Sequence, residues 1–215
     1  MNIGILISGR GSNLEAILKA NKEGKIKSNI KVVISNKEHA RGLKIANDYG
    51  VKAVYINPSD FSDREEFDKR LIQELEKYSV DLVVLAGYMR ILSDVFIEKF
   101  EGRLLNIHPS LIPAFQGLKP QKKAVEYGVM YSGCTVHFVT KELDNGPIII
   151  QAVVPVLPDD TEDTLEKRIL KYEHRIYPQA IKWFEDGRIS LNGRKVYVKD
   201  AVYGTLPTNP KLEDF

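Results

Sequence analysis

Residues 2–24 read NIGILISGRGSNLEAILKANKEG. An unbroken apolar run to Ile7 is the pattern of a strand buried on both faces. Gly9 and Gly11 follow, then Leu14, Ile17 and Leu18 at helical spacing, with Gly24 as the stop. Strand, glycine-rich turn and helix in that order form the opening unit of a doubly wound α/β sheet. The first such turn commonly meets a phosphate, because glycine lets the backbone approach a ligand and a helix N-terminus presents unpaired N–H groups. A plain strand-to-helix turn has the same appearance.

Outward from this unit the alternation continues. IKVVISN (30–36), VKAVYI (51–56), DLVVLAG (81–87) and GRLLNI (102–107) read as further strands. ARGLKIANDYG (40–50) and DREEFDKRLIQELEKY (63–78) read as helices, the second with Phe67, Leu71, Leu75 and Tyr78 on one face. Such alternation implies right-handed crossovers and a parallel sheet. Beyond residue 130 the pattern changes. CTVHFVT (134–140) and IIIQAVVPV (148–156) read as a hairpin turning at Asp144-Asn145-Gly146. A long helix is predicted from Thr161, with Asp163 and Glu166 at capping-box spacing. Pro178 is expected to kink or split it. RISLNGRKVYV (188–198) reads as a small hairpin around Asn192-Gly193.

The expected fold class is therefore α/β: a single-domain, Rossmann-like, mostly parallel sheet flanked by helices, with an antiparallel hairpin strand near residues 132–155. No linker divides the chain. Residues 1–200 read as one domain and 201–215 as an irregular tail.

Composition narrows the function. The chain has 215 residues, 43% of them hydrophobic, enough for one sizeable core. Its 31 Lys and Arg against 29 Asp and Glu leave a net charge of +2. That balance lacks the basic excess of a nucleic-acid binder. The one cysteine, Cys134, has no CxxC or Cys/His cluster around it, which points to a reducing, cytoplasmic setting. No signal peptide and no membrane-spanning apolar run is apparent. His39, His137 and His174 lack metal-ligand spacing, so no metal site is expected.

The glycine loop suits a phosphate monoester better than a dinucleotide. Leu14 stands where the third glycine of G-x-G-x-x-G would fall, and the second strand ends in Asn36 rather than an acid. No GxxxxGK[ST] is present. A second constellation lies in NIHPSLIPAFQG (106–117). Asn106 and His108 occupy alternate positions of an extended chain, so they point to the same side, at the carboxyl end of the fifth strand where open α/β sheets bind ligands. An Asn amide can stabilise an oxyanion, and an imidazole can move a proton near neutral pH. Together they suit acyl transfer without a covalent protein intermediate. A lone histidine at a strand end is also a common structural residue, and Asp144 alone is an ordinary turn-former.

At this point the motifs resemble a known family. ISGRGSNL, VLAGYMRIL, LLNIHPSLIPAF, GCTVHFVTKELDNGPIIIQ and EHRIYPQAI run from residue 1 to about 185 in the order and spacing of the phosphoribosylglycinamide formyltransferases, folate-dependent enzymes of purine biosynthesis. The resemblance implies the formyltransferase fold, with residues 1–200 as the catalytic domain. It implies transfer of a formyl group from 10-formyltetrahydrofolate, a co-substrate rather than a tightly bound cofactor, to the amine of glycinamide ribonucleotide. Asn106, His108 and Asp144 would be catalytic. Gly11, Ser12, Asn13 and Glu173 would hold the ribotide. Arg64, Met89, Arg90, Ile91, Leu92, Thr140, Lys141, Glu142 and Leu143 would line the folate site. No metal, nucleic acid or membrane is implied, and the protein would be a monomer or weak homodimer.

One departure is Lys119, where close family members carry a histidine. GLKPQKKAVEYG (117–128) is expected as a mobile loop over the site, with Lys119, Lys122 and Lys123 on a solvated helix face. Rival readings are a formyltetrahydrofolate deformylase, which usually carries a regulatory domain ahead of strand one, and a methionyl-tRNA formyltransferase, which needs a tRNA-binding extension that the roughly thirty residues after the long helix are too few to build. A nicotinamide-dependent oxidoreductase and a non-catalytic phosphate-binding module are the alternatives outside that chemistry.

Overall fold

The apolar run that opens the chain forms β1 (Asn2–Ile7) in the computed structural model, which describes residues 1–214. Every residue of β1 after Asn2 is buried, as a strand covered on both faces requires. The chain forms two compact units: Met1–Asn106 with Val139–Lys141, and Ile107–Phe138 with the residues from Glu142 onward.

In the first unit β1 is followed by α1 (Ser12–Lys22), β2 (Asn29–Ser35), α2 (Arg41–Asp48), β3 (Lys52–Tyr55), α3 (Arg64–Lys77), β4 (Leu82–Leu85), α4 (Asp94–Lys99) and the start of β5 (Leu104–His108). The strands pair in parallel in the order β5-β4-β1-β2-β3. The register sets Ile5 beside Val33 on one side and Val84 on the other. Alternate residues then face opposite ways. Leu6, Ile34 and Val83 pack with Phe67, Leu71 and Leu75 of α3 and Phe96 of α4 in one cluster. α3 begins where Asp63 accepts a hydrogen bond from the Glu66 N–H at 2.9 Å. α4, six residues long, had no counterpart in the sequence reading; it is too short to show a helical period.

In the second unit β6 (Tyr131–Phe138) and β7 (Ile148–Pro155) pair antiparallel, with a register shift between Val136 and His137. The expected tight turn at Asp144-Asn145-Gly146 is instead part of a longer loop from Val139 to Pro147. Its base is closed by the Phe138 N–H on the Pro147 carbonyl at 2.9 Å. The 117–128 stretch contains a helix, α5 (Pro120–Tyr127), with Lys119 as its N-cap at φ 53°. Lys122 lies 3.5 Å from Glu126, and Lys123 donates to the Gln116 carbonyl at 2.9 Å.

The long helix α6 (Glu162–Glu185) is not split at Pro178. A proline removes one intrahelical bond, and its neighbours Ile176, Tyr177, Ala180, Ile181 and Trp183 are all fully buried, so packing carries the helix through. Its capping box is Thr161 with Thr164, two residues earlier than Asp163 and Glu166: each threonine side-chain oxygen accepts from the other's backbone N–H, at 3.3 and 2.9 Å. β8 (Ile189–Asn192) and β9 (Lys195–Val198) form a separate hairpin. Within the 201–215 tail, Thr208–Asn209 forms β10 on the edge of β7.

Candidate active site

The glycine loop of the first unit is shaped by packing as well as by any ligand. Gly11 is the N-cap of α1, with φ 78°, a conformation that side chains disfavour. A Cβ on Gly11 would lie 2.8 Å from the Cα of Gly42, so the loop and the start of α2 meet backbone to backbone. The Gly42 N–H also donates to the Gly9 carbonyl at 3.2 Å. Gly9 itself has open space where a Cβ would stand. No side chain caps α1, whose first turn begins at Ser12 and Asn13.

Ser8, just before the first loop glycine, ties three segments together. Its hydroxyl donates to Asn36 Oδ1 at 2.6 Å and accepts from the Met89 N–H at 2.8 Å. Asn36 is therefore a hydrogen-bond acceptor for the loop. The Met89–Leu92 segment divides by burial: Met89 and Ile91 are 68% and 59% exposed, while Leu92 sits in the core. Two apolar side chains are thus offered to solvent on a tethered backbone. Arg90 folds back over the Phe67 ring, 4.8 Å from its centroid. Buried Asp68 accepts from the Ser93 N–H at 2.5 Å, which anchors the far end of the segment. Burial pushes the Asp68 carboxyl above its ordinary range, opposed by that bond and by Arg90 and Arg64. Arg64 is exposed in the first turn of α3. Lys141 places its ammonium on α4, 2.5 Å from Glu98 and 3.3 Å from Asp94. Thr140 beside it is half-buried.

In the second unit the structure brings His108 and Asp144 together. His108 Nδ1 lies 3.3 Å from Asp144 Oδ2, and both side chains are at least nine-tenths buried. His108 Nε2 lies 3.0 Å from the Phe115 carbonyl. That carbonyl can only accept, so Nε2 carries a hydrogen. Nδ1 faces a carboxylate, so only the doubly protonated ring donates to both partners. Asp144 Oδ2 accepts from the Gly117 N–H at 2.9 Å, and its main-chain carbonyl accepts from Gln116 Nε2 at 3.0 Å. Asp144 holds φ 45°, uncommon for a residue with a side chain.

A second histidine approaches the same carboxylate. His137 Nε2 is 4.0 Å from Asp144 Oδ1, and its Nδ1–H donates to the Phe138 carbonyl at 2.8 Å. Burial pushes this imidazole below its ordinary value, against the carbonyl bond and the Asp144 charge. The two rings thus differ in kind: His108 can donate in two directions, and His137 is held neutral. One nitrogen of each ring is committed to a carbonyl, and among the described residues no group of three His, Cys, Asp or Glu is arranged to hold a metal ion.

Asn106 and His108 are alternate residues of β5, with Asn106 opposite Leu85 in the register. Glu173 is a buried residue of α6 whose charge acts on Cys134. Glu142 accepts from Asn145 Nδ2, and Leu143 is half exposed beside Gly117. Sequence reasoning missed Ser8, Asp68, His137 and the Phe115–Gly117 backbone. For the last, the available signal was Gly117 closing a stretch bracketed by Pro109 and Pro113.

An Asn-x-His strand end with a buried His–Asp pair suits acyl transfer, and comparison with known proteins agrees. The chain belongs to the formyl transferase family, whose model it matches over residues 1–181. It is 50% identical to the phosphoribosylglycinamide formyltransferase of Escherichia coli, over 89% of this chain and 91% of that one. It is 43% identical to that of Haemophilus influenzae, over 91% and 92%. Among solved structures, glycinamide ribonucleotide transformylase 1 from Symbiobacterium toebii superposes with a TM-score of 0.92 at 51% identity, covering 93% of this chain and 94% of that one. Within the family these relatives set the chain among the phosphoribosylglycinamide formyltransferases. No described helix is long and apolar enough to cross a membrane.

Proposed function

We propose that the protein transfers the formyl group of 10-formyltetrahydrofolate to the amine of glycinamide ribonucleotide, giving formylglycinamide ribonucleotide and tetrahydrofolate, as a cytoplasmic monomer or weak homodimer whose catalytic domain is residues 1–200. The observation that carries the reading is the buried His108–Asp144 pair at 3.3 Å, with the remaining His108 nitrogen on the Phe115 carbonyl.

The neutral amine attacks the formyl carbon, and the carbonyl oxygen becomes an oxyanion. Asn106 Nδ2 and the His108 imidazolium stabilise that charge. The new C–N bond leaves the attacking nitrogen with a proton to lose, and the folate nitrogen needs one to depart. One proton therefore passes from the first nitrogen to the second, with no net consumption. Asp144 orients His108 while this happens and is the nearby base through which the proton can pass. Gly11, Ser12 and Asn13 bind the ribotide phosphate at the start of α1, and Glu173 contacts the same substrate. Arg64, Met89, Arg90, Ile91, Leu92 and the residues from Thr140 to Leu143 serve the folate. The exposure of Met89 and Ile91 supports an apolar surface for the flat pterin ring.

Incubating the protein with both substrates and following formylglycinamide ribonucleotide tests the reading directly. Formate release that is equally fast without the ribotide would instead make the protein a deformylase.

A further inference from the structure

Three anchors hold the turn that carries Asp144. Gln116 and Gly117, from the loop after β5, donate to its carbonyl and its carboxylate at 3.0 and 2.9 Å. Gly146 sits against the Phe138 carbonyl so closely that a Cβ there would lie 1.7 Å from it. The third anchor comes from the β8–β9 hairpin. Arg194, in its turn, donates through one terminal guanidinium nitrogen to the Asn145 main-chain carbonyl at 2.6 Å and to Asn145 Oδ1 at 3.2 Å. Asn145 Nδ2 donates onward to the Glu142 carboxylate. The residue following Asp144 is therefore gripped by backbone and side chain at once, through hydrogen bonds strengthened by the charge of the donor. Asp144 needs such support, since its φ of 45° lies where side-chain-bearing residues are disfavoured.

We propose that Arg194 is a positioning residue for Asp144: the C-terminal hairpin reaches back to lock the left-handed turn that aims the carboxylate at His108. The inference rests on the reading of Asp144 as catalytic. Arg194 is solvent-exposed, so its loss leaves the core intact.

The experiment compares Arg194→Ala, Arg194→Lys, Asp144→Asn and the Arg194→Ala/Asp144→Asn double variant in the full chain. Arg194→Ala is expected to lower kcat about tenfold, with the Michaelis constant for the ribotide and the melting temperature unchanged. Arg194→Lys should recover most of the loss, since one charged donor can still reach the carbonyl. The Gly117 amide, which reports on the Asp144 carboxylate, should exchange faster in Arg194→Ala than in the wild type. In the Asp144→Asn background Arg194→Ala should cost nothing further. Wild-type kcat in Arg194→Ala, unchanged Gly117 exchange, or a full additional loss in the double variant would each overturn the inference. An Asp144→Asn protein with full turnover would overturn the catalytic reading beneath it. That failure is distinct from an inactive Asp144→Asn beside a fully active Arg194→Ala, which removes only the role of Arg194.

Discussion

Gly11 and Asp144 both lie in the left-handed region, at φ 78° and 45°, and they hold it for opposite reasons. At Gly11 the backbone itself is what the structure needs: no side chain fits, because Gly42 of α2 lies where a Cβ would go. At Asp144 the side chain is what the structure needs, so the turn tolerates an unfavourable backbone and is held by hydrogen bonds from Gln116, Gly117 and Arg194's grip on Asn145. The glycine in its left-handed turn reports packing, whereas the turn at Asp144 is held by hydrogen bonds around its carboxylate. A bulky substitution at Gly11 is for this reason a poor probe of phosphate binding, since it disturbs helix packing first.

The contrast is most exposed to failure at Asp144. Asp144→Asn keeps size and turn preference and deletes the charge, and turnover is expected to fall on the order of 100-fold or more with the fold retained. Asn106→Ala and His108→Ala should each cost on the order of 100-fold, and the double variant less than their product, because both serve one oxyanion. Steady-state kinetics beside circular dichroism checks all of these; normal turnover in Asp144→Asn would reduce that residue to a turn-former.

The glycine side of the contrast predicts stability rather than rate. Gly11→Ala should cost about 3 kcal/mol by denaturant unfolding, from left-handed strain plus the clash with Gly42. Gly9→Ala, with open space around it, should stay within about 0.5 kcal/mol. Gly9→Ala is then the clean probe of ligand approach: a raised Michaelis constant for the ribotide at unchanged stability would assign the loop to the phosphate.

A smaller effect separates the two histidines. The folded-state value of His137 is lowered, so its stabilising contribution is present above its ordinary value of 6.5 and is lost as pH falls through the folded value. His137→Gln should flatten the loss of stability on the acid side of pH 6.5, by at most about 1.4 kcal/mol per pH unit. Identical acid limbs for the two proteins would place the buried proton elsewhere. The smallest effect is expected at Lys141, whose ammonium is engaged by Glu98 and Asp94 on the surface. Lys141→Ala should raise the Michaelis constant for the folate only slightly, because its ammonium is already engaged on the surface; a large rise would mean that Lys141 leaves α4 to meet the co-substrate.

Read from the sequence alone, β1 through β5 and α1, α2 and α3 were all legible, because apolar strand runs and one-sided helices write themselves into local apolar spacing. So was the pairing of Asn106 with His108 on one side of a strand, which follows from the two-residue period. α4 was not legible, being six residues long with little room for periodicity, and α5 was read only as a lysine-bearing helix face within an expected mobile loop. Nor was the unbroken course of α6 through Pro178, where burial of the flanking side chains outweighs one lost hydrogen bond. The chemistry of the His–Asp pair was decided wholly by tertiary structure. That His108 faces a carboxylate and a carbonyl while His137 is held neutral depends on loops brought together from distant parts of the chain. Local residue pattern determines which side of an element is apolar; only packing determines which nitrogen meets which oxygen.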